Sequence, residues 1–133
     1  MDGPLIAYLP NATRHALWPD IKDLLARGAR LSGAKAYSRG ECVWLAVVDG
    51  VVVAALTTAL TDDGVAEVRN CGGYRVDEWL GEADRVLTAW ARDCGAEYMT
   101  LRGRKGWLRK GAPLGWNPAG MSEGFPVLEK ELK

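Results

Sequence analysis

Histidine occurs once in these 133 residues, at His15, and cysteine three times, at Cys42, Cys71 and Cys94. No two cysteines have the spacing of a zinc or redox pair, so no metal site is expected. Three dispersed thiols read instead as small buried side chains in a reducing compartment. Cys71 has no histidine near it in the sequence, which argues against a thiol nucleophile. Neither sign of charge is in excess, with 17 basic and 17 acidic residues. That balance excludes a globally basic nucleic-acid binder or membrane-surface protein; any such partner would need a local patch. No apolar run reaches the length of a membrane span. The opening "MDGPLIAYLP" has an acid, no basic region and only a short apolar run, unlike a signal peptide. Repeats, linkers and low-complexity segments are missing too. A soluble, intracellular, single domain over residues 1–133 is expected.

Apolar residues are plentiful, at 48%, enough to bury one core. Leu5 to Leu9, closed by Pro10-Asn11, reads as a first strand. Trp18, Ile21, Leu24 and Leu25 recur at helical spacing, with Pro19 suited to the first turn and Gly28 as the expected stop. "LSGAKAYSRGE" reads as a loop or a short second helix. Cys42 to Val48 is apolar at almost every position, the pattern of a strand covered on both faces. Asp49-Gly50 signals a hairpin, Val51 to Leu60 returns, Thr61 to Gly64 turns, and Val65 to Cys71 completes an antiparallel meander. Val76, Trp79, Leu80, Ala83, Val86, Leu87, Trp90, Ala91 and Cys94 then step by threes and fours along a long helix. Asp77 is its expected cap, Glu78 lies near the positive end of the dipole, and Gly95 ends it. Glu97 to Arg102 reads as a strand, joined by a right-handed crossover and so parallel and adjacent to the third strand of the meander. Residues 103–120 read as a loop with one helical turn. Phe125 to Leu132 reads as a last strand, with Lys130 and Lys133 in a charged tail.

"VRNCGGYRVDEWL" (68–80) runs from a strand through a Gly-Gly turn into the long helix. That is the local shape of a phosphate-binding loop, and equally of a tight turn. The whole element order resembles the GNAT superfamily of acyl-CoA-dependent N-acyltransferases. Short motifs also resemble a group of small phage-encoded GNAT-like proteins: "WP" at Trp18-Pro19, "VWLAVVDG" at 43–50, "CGGYRVDEWL" at 71–80, "AWARDCGAE" at 89–97, "GRKGW" at 103–107 and the closing "VLEKELK". The resemblance implies an α/β (α+β) fold, one GNAT-like domain with a mixed, mostly antiparallel sheet flanked by helices. It implies acetyl-CoA as a ligand, with its pyrophosphate held by a Q/R-x-x-G-x-G/A loop. Arg69 and Gly72 match the first and fourth positions, but the sixth is Tyr74. The pattern is therefore degenerate. Cys71, Gly73 and Arg75 complete the candidate loop, Gly73 by a possible shift of register and Arg75 by its charge. Genes of the phage group tend to sit among those for virion morphogenesis. That implies a protein of the host cytoplasm, or one carried in the virion.

Attack of an amine on a thioester needs a base, and Glu67 is the candidate. By alternation it shares a strand face with Val65, Arg69 and Cys71. Glu67 also reads simply as a strand carboxylate paired with Arg69. The superfamily's usual acid, a tyrosine on the helix after the fifth strand, has no counterpart in "GRKGWLRKGAPLGW". Tyr98 falls one strand too early. Arg102, Arg104, Lys105, Arg109 and Lys110 cluster around Trp107. Such a segment can hold phosphates, stack a base, meet an acidic protein partner, or simply be solvated. Trp44, Trp79 and Trp90 read as core. Trp18, Trp107 and Trp116 lie at segment ends or in loops and are candidates for an interface or pocket wall. Three functions are consistent with these features: an N-acyltransferase, a non-catalytic virion or assembly protein docking through Trp107, Trp116 and the basic segment, and a small nucleic-acid binder using the same segment.

Overall fold

The structure, a computed structural model, describes residues 3–132; Lys133 of the expected tail lies outside them. Turn chemistry sets the first half of the sheet. Strands β1 (Leu5–Tyr8), β2 (Cys42–Val48), β3 (Val51–Leu60) and β4 (Val65–Gly73) pair antiparallel in that order. Asp49 and Gly50 both take positive φ, 52° and 77°, the pair of conformations a two-residue hairpin of the favoured twist requires. Val48 and Val51 are accordingly cross-strand partners.

Helix α1 (Trp18–Ser32) packs on one face of the sheet, where Ile21 and Leu25 are fully buried with Val43, Leu45 and Ala55. Pro19 lies in its first turn, as expected. Gly28 does not stop it. The helix runs on to Ser32 and ends at Gly33, whose φ is +71°. Gly28 is instead a point of close approach: a Cβ there would lie 2.6 Å from the Cys71 carbonyl oxygen and closer still to Asn70 Oδ1. "LSGAKAYSRGE" is thus the end of α1 followed by a loop, with no second helix.

Helix α2 (Val76–Asp93) covers the other face with the stripe read from the sequence; Trp79, Ala83, Leu87 and Ala91 are buried against Trp44, Leu56, Val68 and Met99. Asp77 does not cap it. Arg75 holds the cap position in the left-handed conformation, and Asp77 turns away to accept a hydrogen bond from Lys110 Nζ at 2.6 Å. After α2, β5 (Tyr98–Arg102) lies parallel to β4, as the crossover required.

The segment 103–120 holds more order than expected. Helix α3 (Gly106–Gly111) and a 3₁₀ turn at Ala112–Leu114 lead into β6 (Asn117–Ser122), which pairs with β7 (Phe125–Glu131). β6 escapes sequence reading because it is an edge strand. It is almost wholly exposed, so it shows no apolar alternation, and an edge tolerates its Pro118 and Gly120. The complete sheet order is β1-β2-β3-β4-β5-β7-β6.

Candidate functional site

The site begins where two strands part. β4 and β5 pair from Val65–Tyr98 to Val68–Leu101 and no further. β5 then goes with β7, as far as Arg102–Val127, while β4 continues beside β3, as far as Gly73–Ala54. From Arg69 to Gly73, the edge of β4 that faces β5 has no strand partner among the described residues. A β-bulge marks the parting. Asn70 pairs with Thr57 and Val68 with Thr58, leaving Arg69 as the extra residue. A bulge reverses the facing of everything beyond it. Val68 therefore faces the α2 core, Asn70 faces α1, where its Nδ2 donates to the Leu25 and Ala36 carbonyls, and Cys71 returns to the α2 core. Simple alternation placed Cys71 on the face of Glu67. The bulge puts them on opposite faces.

On the α1 face, the gap opens into a cavity of about 490 Å³. Glu67 and Arg69 of β4, Thr100 and Arg102 of β5, and Lys35 and Glu41 from the segment after α1 line it. Arg69 donates from Nε and Nη2 to Glu67 Oε1, at 3.0 and 2.9 Å, and from Nη1 to Glu41 Oε2 at 3.4 Å. The hydrogen bonds to Glu67, then those to Glu41, raise the Arg69 pKa further above its ordinary value. Glu41 is deeply set, with 5% of its side chain exposed, and its Oε1 accepts the Ser38 N–H at 2.7 Å. Glu67 Oε2 makes none of these bonds.

The opposite side of the gap is nearly full. The Trp107 ring lies against Gly103, where a Cβ would come within 3.0 Å of its Nε1. It borders an apolar pocket of about 40 Å³ beside α2 and a crevice of about 30 Å³ next to Cys71, Gly73, Val76 and Arg104. Burial pushes the Cys71 thiol up to about 12. Gly72 is pressed on α1: a Cβ would lie 2.7 Å from the Gly28 nitrogen and closer still to the Leu24 carbonyl oxygen. Gly73 is crowded in the same way by Val53 and Ala54. Tyr74 donates its N–H to the Val53 carbonyl at 2.8 Å and accepts from Trp79 Nε1 at 2.8 Å. Its ring is exposed and stacks under the Arg27 guanidinium at 4.4 Å. Arg75 is paired with Asp49 and Glu78, which raise its pKa. The two glycines are thus closely packed where a side chain would stand, and the edge of β4 from Arg69 to Gly73 has no strand partner among the described residues.

No protein-family model matches the chain, and no curated protein matches it. Solved structures do. A GNAT family acetyltransferase from Elizabethkingia anophelis, solved with acetyl-CoA bound, superposes with a TM-score of 0.73 at 14% identity, over 99% of this chain and 100% of that one. The fold is that of the GNAT acetyltransferases. An IAA acetyltransferase from Bacillus cereus gives 0.71 at 14% identity over 98% and 100% of the two chains. The ribosomal-protein-S18-alanine N-acetyltransferase from Escherichia coli gives 0.66 at 15% over 98% and 94%.

In this GNAT fold the basic segment divides. Arg104, Lys105 and Arg109 are exposed, whereas Lys110 is engaged with Asp77. Trp116 is not a surface residue. It is buried, and its Nε1 donates to Asp84 Oδ1 at 2.8 Å, while Lys130 Nζ donates to Asp84 Oδ2 at 2.9 Å. Trp107 is half-buried and turned inward. Trp18 packs edge-on to Tyr37. Trp44 and Trp90 meet in the core with ring centres 5.9 Å apart. α3 contains no tyrosine, and Tyr98 lies at the far end of β5, beside Val65. Among the described residues no group of three or more His, Cys, Asp and Glu could hold a metal ion. Sequence reading missed Lys35 and Glu41 as site residues, and placed Arg102 in the basic segment rather than in the cavity. Lys35 and Glu41 carry no local pattern, and only the return of the chain after α1 brings them to β4.

Proposed function

We propose that this protein is an acyl-CoA-dependent N-acyltransferase. The observation that carries this reading is the parting of β4 from β5 at Val68 and Leu101, beside a polar cavity that holds Glu67. An acyl-CoA would supply an activated acyl group. The unpaired edge of β4 from Arg69 to Gly73 offers the hydrogen bonds that an extended amide chain seeks. Anionic phosphates would be met by the N-terminus of α2 and by Arg104, Lys105 and Arg109, not by a cradle at Gly72. In the transfer, the acceptor nitrogen bonds to the acyl carbon as the carbon–sulfur bond breaks. Glu67, held by Arg69 with Oε2 free, takes the proton the nitrogen loses, directly or through water. Water protonates the departing thiolate, since α3 offers no tyrosine.

Thermal unfolding with and without acetyl-CoA tests this. Ligand at about one hundred times its dissociation constant adds roughly 2.7 kcal/mol, a shift of several degrees in a domain this size. Glu67→Gln should keep that shift and lower acyl transfer about 100-fold or more. No shift at saturating acetyl-CoA would defeat the proposal.

A second reading rests on Trp107. Its inward ring borders a crevice of only about 30 Å³ beside Cys71 and Gly73, which suits a protein that keeps the fold without the reaction, such as a virion or assembly component. Its docking surface would be Arg104, Lys105 and Arg109. A wild type indifferent to acetyl-CoA, with Trp107→Ala responding, would favour that reading.

A further inference from the structure

We infer that the acceptor is a small amine carrying its own anionic group, of the kind an α-amino acid presents. This rests on the acyl-transfer reading of the same cavity. Its volume of about 490 Å³ lies in the range that encloses one small molecule. Its charge is divided. On the β4 side stand two carboxylates, Glu41 and Glu67, with one guanidinium between them, so that wall carries one net negative charge. Glu67 Oε2 is left over there, at the point where an amine must give up its proton.

On the other side stand Lys35 and Arg102. Arg102 Nη2 donates to the Gly33 carbonyl at 3.0 Å, which ties it to the chain two residues before Lys35, an exposed residue that lines the same cavity. Arg102 is partly answered by Glu123, at 3.1 Å. Lys35 is in none of the salt bridges of the described residues. This wall therefore carries one net positive charge. Hydroxyls of Thr100 and Ser122 add neutral partners. A bare amine would answer only the Glu41–Glu67 wall, and a bare acid only the other. A molecule with an amine and an acid a few bonds apart answers both.

The test measures binding by NMR and by thermal shift on the full chain, without acyl-CoA. The probes are common α-amino acids, each beside its own carboxamide and the matching alkylamine. The acids should bind about tenfold or more tightly than their carboxamides, because a charge-assisted hydrogen bond is roughly twice as strong as a neutral one. Lys35→Met should weaken the acids by about tenfold and the carboxamides much less. Arg102→Gln should act in the same direction, with circular dichroism confirming the fold. Carboxamides or alkylamines that bind as tightly as the acids overturn the inference. So does Lys35→Met leaving the acids unmoved, and so does a complete lack of binding at millimolar probe. The two readings fail separately. Acids that bind with this pattern but are not acylated by acetyl-CoA leave the ligand class of the cavity standing and defeat the transferase. Bare alkylamines acylated as readily as amino acids do the reverse.

Discussion

Replacing Gly72 with alanine asks whether the Gly-Gly turn belongs to the fold or to a ligand. The added methyl would lie 2.7 Å from the Gly28 nitrogen and 2.9 Å from the Leu24 carbonyl carbon, with the carbonyl oxygen nearer still. Comfortable separations are about 3.5–4.0 Å, so α1 must retreat by roughly an ångström. It cannot retreat alone. Ile21 and Leu25 on its inner face are fully buried, and the Leu25 carbonyl accepts from Asn70 Nδ2 at 2.7 Å. Overpacking costs about 1–3 kcal/mol and more when backbone must move, so we expect about 3 kcal/mol. That is a large share of a typical domain stability of about 5–15 kcal/mol, and lowers Tm by roughly 10 °C. The assay is urea unfolding without ligand, followed by tryptophan fluorescence. Gly81→Ala is the companion: Gly81 lies within α2 with nothing inside 4 Å of an added Cβ, and the change should gain about 0.5–1 kcal/mol. A Gly72→Ala protein within about 0.5 kcal/mol of wild type would refute the packing role and return the glycine to a possible ligand.

Other expectations follow from single contacts. Asp84→Asn strands the Lys130 ammonium, whose side chain is 14% exposed, and should cost about 3–5 kcal/mol in urea unfolding. Asn70→Ala removes the donor to the Leu25 and Ala36 carbonyls and should cost about 2–3 kcal/mol by the same measurement. The Cys71 thiol, at about 12 against an ordinary 9.0, is raised in the folded chain. Its contribution is therefore fully present below pH 9 and is lost as pH climbs from 9 to about 12, because the unfolded thiol ionises first. Wild type should lose more stability across that window than Cys71→Val. Alkylation near pH 8 should modify exposed Cys94 well before Cys71.

Local chemistry made much of the fold readable. The Asp49-Gly50 hairpin, the apolar stripe of α2 and the parallel placement of β5 all depend on near neighbours or on chain handedness. What escaped depends on distant partners. Gly28 looks like a stop until Asn70 and Cys71 are seen against it. Asp77 looks like a cap until Lys110 arrives from α3. Trp116 looks like a loop residue, yet Asp84, on α2, draws its indole inward. Within the site, Glu67 and Arg69 were legible as a pair because they are two residues apart on one strand. Glu41 and Lys35 were not, because the distance between them and β4 is closed only by tertiary folding.

The bulge at Arg69 also divides the labour of one strand in a way that matters for engineering. On one face Glu67 and Arg69 line the cavity and Asn70 bonds α1, while on the other Val68 and Cys71 belong to the α2 side. Deleting Arg69 would restore plain alternation and leave Val68, Asn70 and Cys71 on the faces they hold, at the loss of the guanidinium between Glu67 and Glu41. Adding a second extra residue would instead bring Asn70, built to bond α1, into the apolar layer beneath α2, and send Cys71 the other way. Length at this position is thus constrained against insertion: most side chains at 69 should be tolerated by the fold, and a further residue beside it should not.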